Sequence, residues 1–294
     1  MTKNPKSKSE IRYVFFGVPD LSVRVLEELS AAHLLPALVV TAPDEKTGRG
    51  LQLTPPPVKR WAVAHKIPVL QPHKIDANFL SELGATKWDV FVVVAFGKIL
   101  PSSVLEMPRR GVLNVHPSLL PRLRGASPIR SAILNDEKKT GVTVMLLDEE
   151  MDHGPIIAQK AISPIEWPPG ALQLERQLMS AGGKLLAQVL PLWCADTIEA
   201  RPQNHDIATY SEKIEKNDGL LDVNDDPRTN ILKIRAYEGW PGTHAFFTRG
   251  SKKIRVQILQ AHTEGGRLVI DTVKPEGKNE MRYDEFLRSG AKPA

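Results

Sequence analysis

Apolar residues fall in short unbroken runs separated by stretches of helical spacing, the pattern of buried strands covered by helices. The run Ile11 to Val18, IRYVFFGV, reads as a buried parallel strand ending near Gly17. Asp20 is placed to cap the helix LSVRVLEELSAA, which carries Leu21, Val25 and Leu29 on one face. Ala37 to Pro43, ALVVTAP, is the second strand. This strand–helix–strand opening predicts a doubly wound, Rossmann-like α/β sheet. A lone Gly17 is not a G-x-G-x-x-G fingerprint, so a dinucleotide site is only weakly supported.

The glycines and prolines of Asp44 to Pro57, DEKTGRGLQLTPPP, predict a segment without regular structure, longer than an ordinary connection. It is either a functional loop or a solvated surface one. A helix is predicted over Pro57 to Lys66, with proline at its start. A short strand over IPVLQP follows, then a helix from Ile75 to Leu83 that stops at Gly84. Trp88 to Gly97, WDVFVVVAFG, is the most continuous β-branched run and belongs at the sheet centre. Later elements are a helix over Ser127 to Asn135 with Ser127 as cap, and strands over Thr140 to Leu147 and PIIAQKAISP. A long amphipathic helix then runs from Leu172 to Cys194. Its Gly182-Gly183 pair is costly in a helix and signals a kink or a close packing contact.

At 294 residues and 41% apolar positions, the chain can bury a core and suits two domains, or one with an appendage. A net charge of +5 permits an anionic partner without demanding one. The single cysteine, Cys194, excludes an internal disulfide and a cysteine-based zinc site. The eight histidines show no H-x-x-x-H spacing, and no metal is expected. MTKNPKSKSE is read as a disordered basic tail over residues 1–10. It lacks the apolar segment of a signal peptide, and no run of about 18 apolar residues exists. A cytoplasmic protein without membrane contact is expected.

The chemistry gathers in Gly111 to Gly125, GVLNVHPSLLPRLRG. Val112-Leu113 leads to Asn114 and His116, which as i and i+2 residues of a strand share one face. Pro117 cannot extend the ladder and ends the strand. An amide beside an imidazole supplies what a developing oxyanion needs, although the same pair could simply cap a strand end.

The longer string N-x-H-x-S-L-L-P-x-x-R-G resembles the signature of the folate-dependent formyltransferases. The family's third element, an Asp in a T-G-V-T…D-x-G context, is matched by Thr140 to Gly154, TGVTVMLLDEEMDHG, with Asp152 as the carboxylate. The resemblance spans about residues 11 to 290. It implies formyl transfer from 10-formyltetrahydrofolate to an amine, without metal. Asn114 would donate to the formyl oxygen, and His116 would stabilise the oxyanion and help protonate the departing nitrogen. Asp152 would orient His116 and draw the proton from the amine. Ser118, Leu119, Leu120 and Pro121 would line the folate pocket, with Phe96 and Gly97 against the pterin. His153 stands where the tRNA-specific members commonly have Thr.

GRGLQLTPPPVK resembles the insertion with which the members that act on charged initiator tRNA enter the acceptor stem, making Arg49, Lys46 and Lys59 candidate tRNA contacts. A catalytic domain is expected over residues 11–196 and a polar, turn-rich linker over 197–209. Residues 210–294 resemble the family's C-terminal OB-like β-barrel, shortened between Ala261 and Arg267, which implies a truncated and open barrel. Arg249, Lys252 and Lys253 on this sheet are the further tRNA candidates, unless they are an ordinary solvated face. The expected partners are charged initiator tRNA and folate, and the protein is expected to be a monomer. A sugar-nucleotide N-formyltransferase and a non-catalytic RNA-binding barrel are the alternatives.

Overall fold

The computed structural model describes residues 11–47, 51–163 and 166–293. The expected basic tail and Arg49, with its flanking glycines, lie outside the described residues. The chain divides into two compact units. One comprises Met1–Arg124, Gly141–Ile162 and Glu175–Thr209; the other comprises Gly125–Thr140, Ser163–Leu174 and Tyr210–Ala294. Among the described residues no helix is long and apolar enough to cross a membrane.

The chain begins β1 (Tyr13–Gly17), α1 (Asp20–Ala31), β2 (Leu38–Val40), β3 (Glu45–Thr47), β4 (Gln52–Thr54), α2 (Pro57–Ala64) and β5 (Val69–Leu70). It continues α3 (Ala77–Gly84), β6 (Val90–Val94), α4 (Ser102–Leu105), β7 (Val112–His116), β8 (Arg124–Gly125), α5 (Pro128–Leu134), β9 (Thr140–Leu146), β10 (Ile156–Ile162) and α6 (Ala171–Cys194). The first unit is built on a seven-stranded sheet of order β10-β9-β7-β6-β1-β2-β5. The pairs from β7 to β5 are parallel, and β9 runs antiparallel to β7. The valine-rich β6 is the central strand, as its composition predicts. Strand order reverses between β1 and β6, and open sheets bind ligands beyond the carboxyl ends at such a point.

Val14, Phe16, Phe91, Val93 and Phe96 form a core on one face of this sheet, the Phe16 ring lying 5.3 Å from Phe91 and 5.4 Å from Phe96. The glycine pair of α6 is a packing device. A Cβ on Gly182 would stand 2.6 Å from Val115 Cγ1, and one on Gly183 2.7 Å from Glu28 Cβ. The helix therefore lies closer to β7 and α1 than any larger residue permits.

Two expectations need correction. Asp20 is the first residue of α1, not its cap; Pro19 takes the cap position without a side-chain bond. Asp44 to Pro57 is not irregular throughout, because β3 and β4 form an antiparallel hairpin pairing Glu45 with Thr54 and Lys46 with Leu53. Glycines between two short extended segments are hairpin composition as much as loop composition.

The second unit contains α5 and β11 (Tyr210–Ser211), then α7 (Pro227–Ala236), β12 (Thr243–Arg249), β13 (Lys252–Glu264), β14 (Arg267–Pro275), β15 (Met281–Arg282), α8 (Tyr283–Arg288) and β16 (Lys292–Pro293). Five strands form an antiparallel sheet of order β15-β14-β13-β12-β16 over a core containing Phe247, Val256, Ile258, Val273 and Phe286. Among the described residues the order runs from β15 to β16 without closing, so the sheet is open, as expected of a truncated barrel. Its two edge strands are two residues each, too short to supply the pairing that closure requires. Asp136 braces this unit, accepting from Arg228 Nη2 at 2.6 Å and Nε at 3.2 Å and from Trp167 Nε1 at 2.5 Å.

Candidate active site

β7 ends at His116, so Asn114 and His116 emerge on one face at the carboxyl edge of the sheet. Asp152 arrives from the turn between β9 and β10. The structure brings all three together: Asn114 Nδ2 is 3.4 Å from Asp152 Oδ1, and His116 Nδ1 is 3.6 Å from Asp152 Oδ2. Both distances are long for hydrogen bonds. His116 is 4% exposed, and its Nε2 lies 2.9 Å from the Leu123 carbonyl. A carbonyl can only accept, so Nε2 carries a proton and Nδ1 turns toward the carboxylate. In this conformation both ring nitrogens face protein groups. Asn114, half-buried, is the more open donor.

The Ser118–Pro121 turn is held from below by β9 and β10. Thr143 Oγ1 donates to the Ser118 carbonyl at 2.7 Å and accepts from Leu120 N at 3.2 Å, and Gln159 Nε2 donates to the Leu120 carbonyl at 2.8 Å. Ser118 Oγ donates to the Arg122 carbonyl at 2.6 Å. The side chains of Ser118 and Leu120 are buried, whereas Leu119 and Pro121 are half-buried. Phe96 belongs to the core beside Phe16, while Gly97 is exposed with φ +74° and open space where a Cβ would stand.

Two exposed apolar side chains lie on this edge: Ile99, in the loop that follows Phe96 and Gly97, at 89% exposure and Met151, beside Asp152, at 64%. Their loops are tied by Ser102 Oγ donating to Glu149 Oε1 at 2.6 Å. Exposed apolar surface beside a polar site suits a flat heteroaromatic ring. Sequence reasoning missed the buried Arg124 and Gln203 behind the Asp152 turn. Their only signal was a charged residue inside the signature string and a glutamine in a stretch read as linker. His153 turns away from His116: its Nδ1 is 2.7 Å from Asp148 Oδ2, and its ring stacks on His205 at 4.1 Å.

Of the tRNA candidates in this unit, Lys46 is exposed on the hairpin. Lys59 instead pairs with Asp44 at 2.8 Å; hydrogen bonds from Gln71 and Lys59 hold that carboxyl below its usual range. In the other unit Arg249, Lys252 and Lys253 are exposed, and Lys253 Nζ sits 4.3 Å from the centre of the Phe246 ring. Among the described residues no group of three or more His, Cys, Asp or Glu side chains could hold a metal ion.

The formyl transferase family matches residues 11–190. A methionyl-tRNA formyltransferase of Chloroflexus aurantiacus is 43% identical over 258 residues, covering 87% of this chain and 82% of the relative. One from Desulforamulus reducens is 37% identical over 300 residues, covering 95% and 94%. Two solved structures share the fold at lower identity. An N-formyltransferase from Helicobacter canadensis, in complex with folinic acid and dTDP-3-aminofucose, has a TM-score of 0.64 at 22% identity, covering 86% of this chain and 89% of that one. A methionyl-tRNA formyltransferase from Clostridium thermocellum has a TM-score of 0.58 at 14% identity, covering 90% and 98%. The chain belongs to the formyl transferases and, within them, to the methionyl-tRNA formyltransferase family.

Proposed function

We propose that this protein transfers the formyl group of 10-formyltetrahydrofolate to the α-amine of methionyl initiator tRNA. The observation that carries the reading is the convergence of Asn114, His116 and Asp152 at the end of β7. In the reaction the amine nitrogen bonds to the formyl carbon, the bond from that carbon to the donor nitrogen breaks, and the amine's proton ends on the donor nitrogen. Asn114 donates to the formyl oxygen as charge develops there. Asp152 draws the proton from the amine. His116, with Nε2 fixed on Leu123 and Nδ1 toward Asp152, stands ready to exchange that proton with the carboxylate.

The folate fits the exposed edge formed by Leu119, Pro121, Gly97, Ile99 and Met151, an apolar floor beside convergent polar groups. The backbone of Leu120 is already engaged, so ligand hydrogen bonds come from neighbouring groups. For the tRNA, Lys46 lies on the hairpin, Arg49 is a contact proposed from the sequence, and Arg249, Lys252 and Lys253 lie on an open sheet that we read as a shortened OB-like fold. Lys59 contributes more as the anchor of Asp44 than as a phosphate contact. The division proposed is a catalytic domain over residues 11–196, a connection over 197–209 and a tRNA-binding domain from 210, in a cytoplasmic monomer.

The test offers labelled formyl donor to the protein with three acceptors: methionyl initiator tRNA, the uncharged tRNA and a nucleotide-linked amino sugar. Formylation of the charged tRNA alone is expected. Transfer to the sugar in its place overturns the tRNA assignment, and tight binding of charged tRNA with no transfer overturns the catalytic one.

A further inference from the structure

Arg124 is a fully buried, permanently charged side chain, and no step above uses its charge. A buried guanidinium is costly unless its donors are met. Here Nε and Nη2 donate to Gln203 Oε1 at 3.1 and 2.7 Å, and Nη2 also donates to His205 Nδ1 at 2.9 Å. Gln203 is itself buried, and its amide nitrogen donates to the carbonyls of Asp152 at 2.9 Å and Gly154 at 2.7 Å. The guanidinium can only donate and the two carbonyls can only accept, so the amide has one orientation. A single side chain therefore ties a buried cation to both sides of the turn that carries Asp152.

That turn is tightly constrained. Asp152 has φ +50°, a conformation rarely adopted by residues other than glycine. A Cβ on Gly154 would stand 2.1 Å from the Leu146 carbonyl oxygen. The register of Gln203 is fixed by reciprocal backbone bonds of 2.8 and 2.7 Å between Ile156 and Arg201. Further along the same strap, Thr209 accepts from Arg124 N at 2.8 Å and from Leu123 N through Oγ1 at 2.9 Å. Residues 201–209 thus hold both the Asp152 turn and the segment whose Leu123 carbonyl holds His116.

We propose that Gln203, locked by Arg124, is a positioning residue that sets the Asp152 carboxylate against Asn114 and His116; its catalytic part rests on the formyl-transfer reading above. Gln203→Glu tests it with little change of shape: an acceptor for Arg124 remains, while an oxygen replaces the donor facing two carbonyls. Arg124→Lys keeps the charge and removes the fork, and it decides the matter should the first variant not fold. The turnover number is expected to fall tenfold to about a hundredfold, as misplacements of about 1 Å do. KM for each substrate is expected to stay within about threefold, since binding groups are untouched. In the substrate-free protein, the His116 ring nitrogen resonances are expected to move toward those of Asp152→Asn. Unmoved His116 resonances, or a lowered melting temperature with unchanged turnover, overturn the proposal. If the wild-type protein transfers no formyl group, the proposed function fails, and the resonances alone decide whether Gln203 positions the carboxylate.

Discussion

Gly182→Ala sets two calculable effects against each other at the strand that carries the site. Replacing a helical glycine by alanine favours the helix by about 1 kcal/mol. The new methyl carbon would stand 2.6 Å from Val115 Cγ1. Carbon atoms settle about 3.5–4.0 Å apart, so one partner must retreat by about 1 Å. Val115 lies between Asn114 and His116 and is 3% exposed, with little room to retreat without moving β7. Overpacking of this kind costs about 1–3 kcal/mol, which leaves a net loss of about 0–2 kcal/mol. In a unit of this size that lowers the melting temperature by up to about 8 °C, at roughly 2–4 °C per kcal/mol. Displacement of the strand end should also lower turnover about tenfold, with less effect on KM. Urea unfolding and steady-state kinetics of the variant check both. A variant stabilised by about 1 kcal/mol with unchanged turnover would show that propensity alone operates and that the close approach is immaterial.

Other expectations concern the second unit. Asp136→Asn removes the carboxylate from Arg228; both partners are more than a third exposed, so the expected loss is only about 1 kcal/mol, read by urea unfolding. Hydrogen bonding from Arg228 holds the Asp136 carboxyl below its usual range, and this contribution is present above the unfolded pKa of about 3.9 and lost as pH falls through the lower folded value. Burial, then the charges of Arg255 and Lys216, push His244 down, so the unfolded chain takes up its proton first and stability should decline as pH falls below about 6.5. An unfolding series from about pH 8 to about pH 5 that shows rising stability would contradict this linkage. Neutralising Arg249, Lys252 and Lys253 together should weaken tRNA binding and flatten its dependence on salt, with the logarithmic slope reduced by about 0.7–0.9 for each phosphate left without its cation. A filter-binding salt series with the wild-type slope would place the nucleic acid elsewhere.

What the sequence revealed, and what it hid, follows from how local each signal is. β7 and its Asn114–His116 pair were legible because an apolar run, an i,i+2 spacing and a following proline all lie close together in the chain. The central place of β6 was legible from its β-branched run. Asp152 was singled out mainly through resemblance, since its place between Met151 and Gly154 is only a weak local distinction from the neighbouring Asp148, Glu149 and Glu150. Gln203 was invisible because the residues around it are polar and turn-rich, which composition assigns to a linker. Those polar groups are instead occupied with the Asp152 turn and with Arg124. The β3–β4 hairpin was hidden for a related reason, as a composition rich in glycine and proline does not reveal that two short segments within it pair. The openness of the second sheet was legible from the short stretch between Ala261 and Arg267, whereas its edge strands are a non-local property, fixed by pairings far apart in the chain. Gly182 and Gly183 were correctly suspected of close packing, but Val115 as the neighbour needed coordinates.

Asn114, His116 and Asp152 are assigned a joint action on a formyl group bound for a methionyl-tRNA amine. Single-turnover formylation of methionyl initiator tRNA by wild-type protein and by Asp152→Ala, with both substrates saturating, puts that joint action to the test. Loss of a group acting in the transition state should slow the chemical step by about 10²–10³ while the variant still binds donor and tRNA. A variant that formylates at close to the wild-type rate would contradict the assignment of Asp152 and the proton transfer built on it.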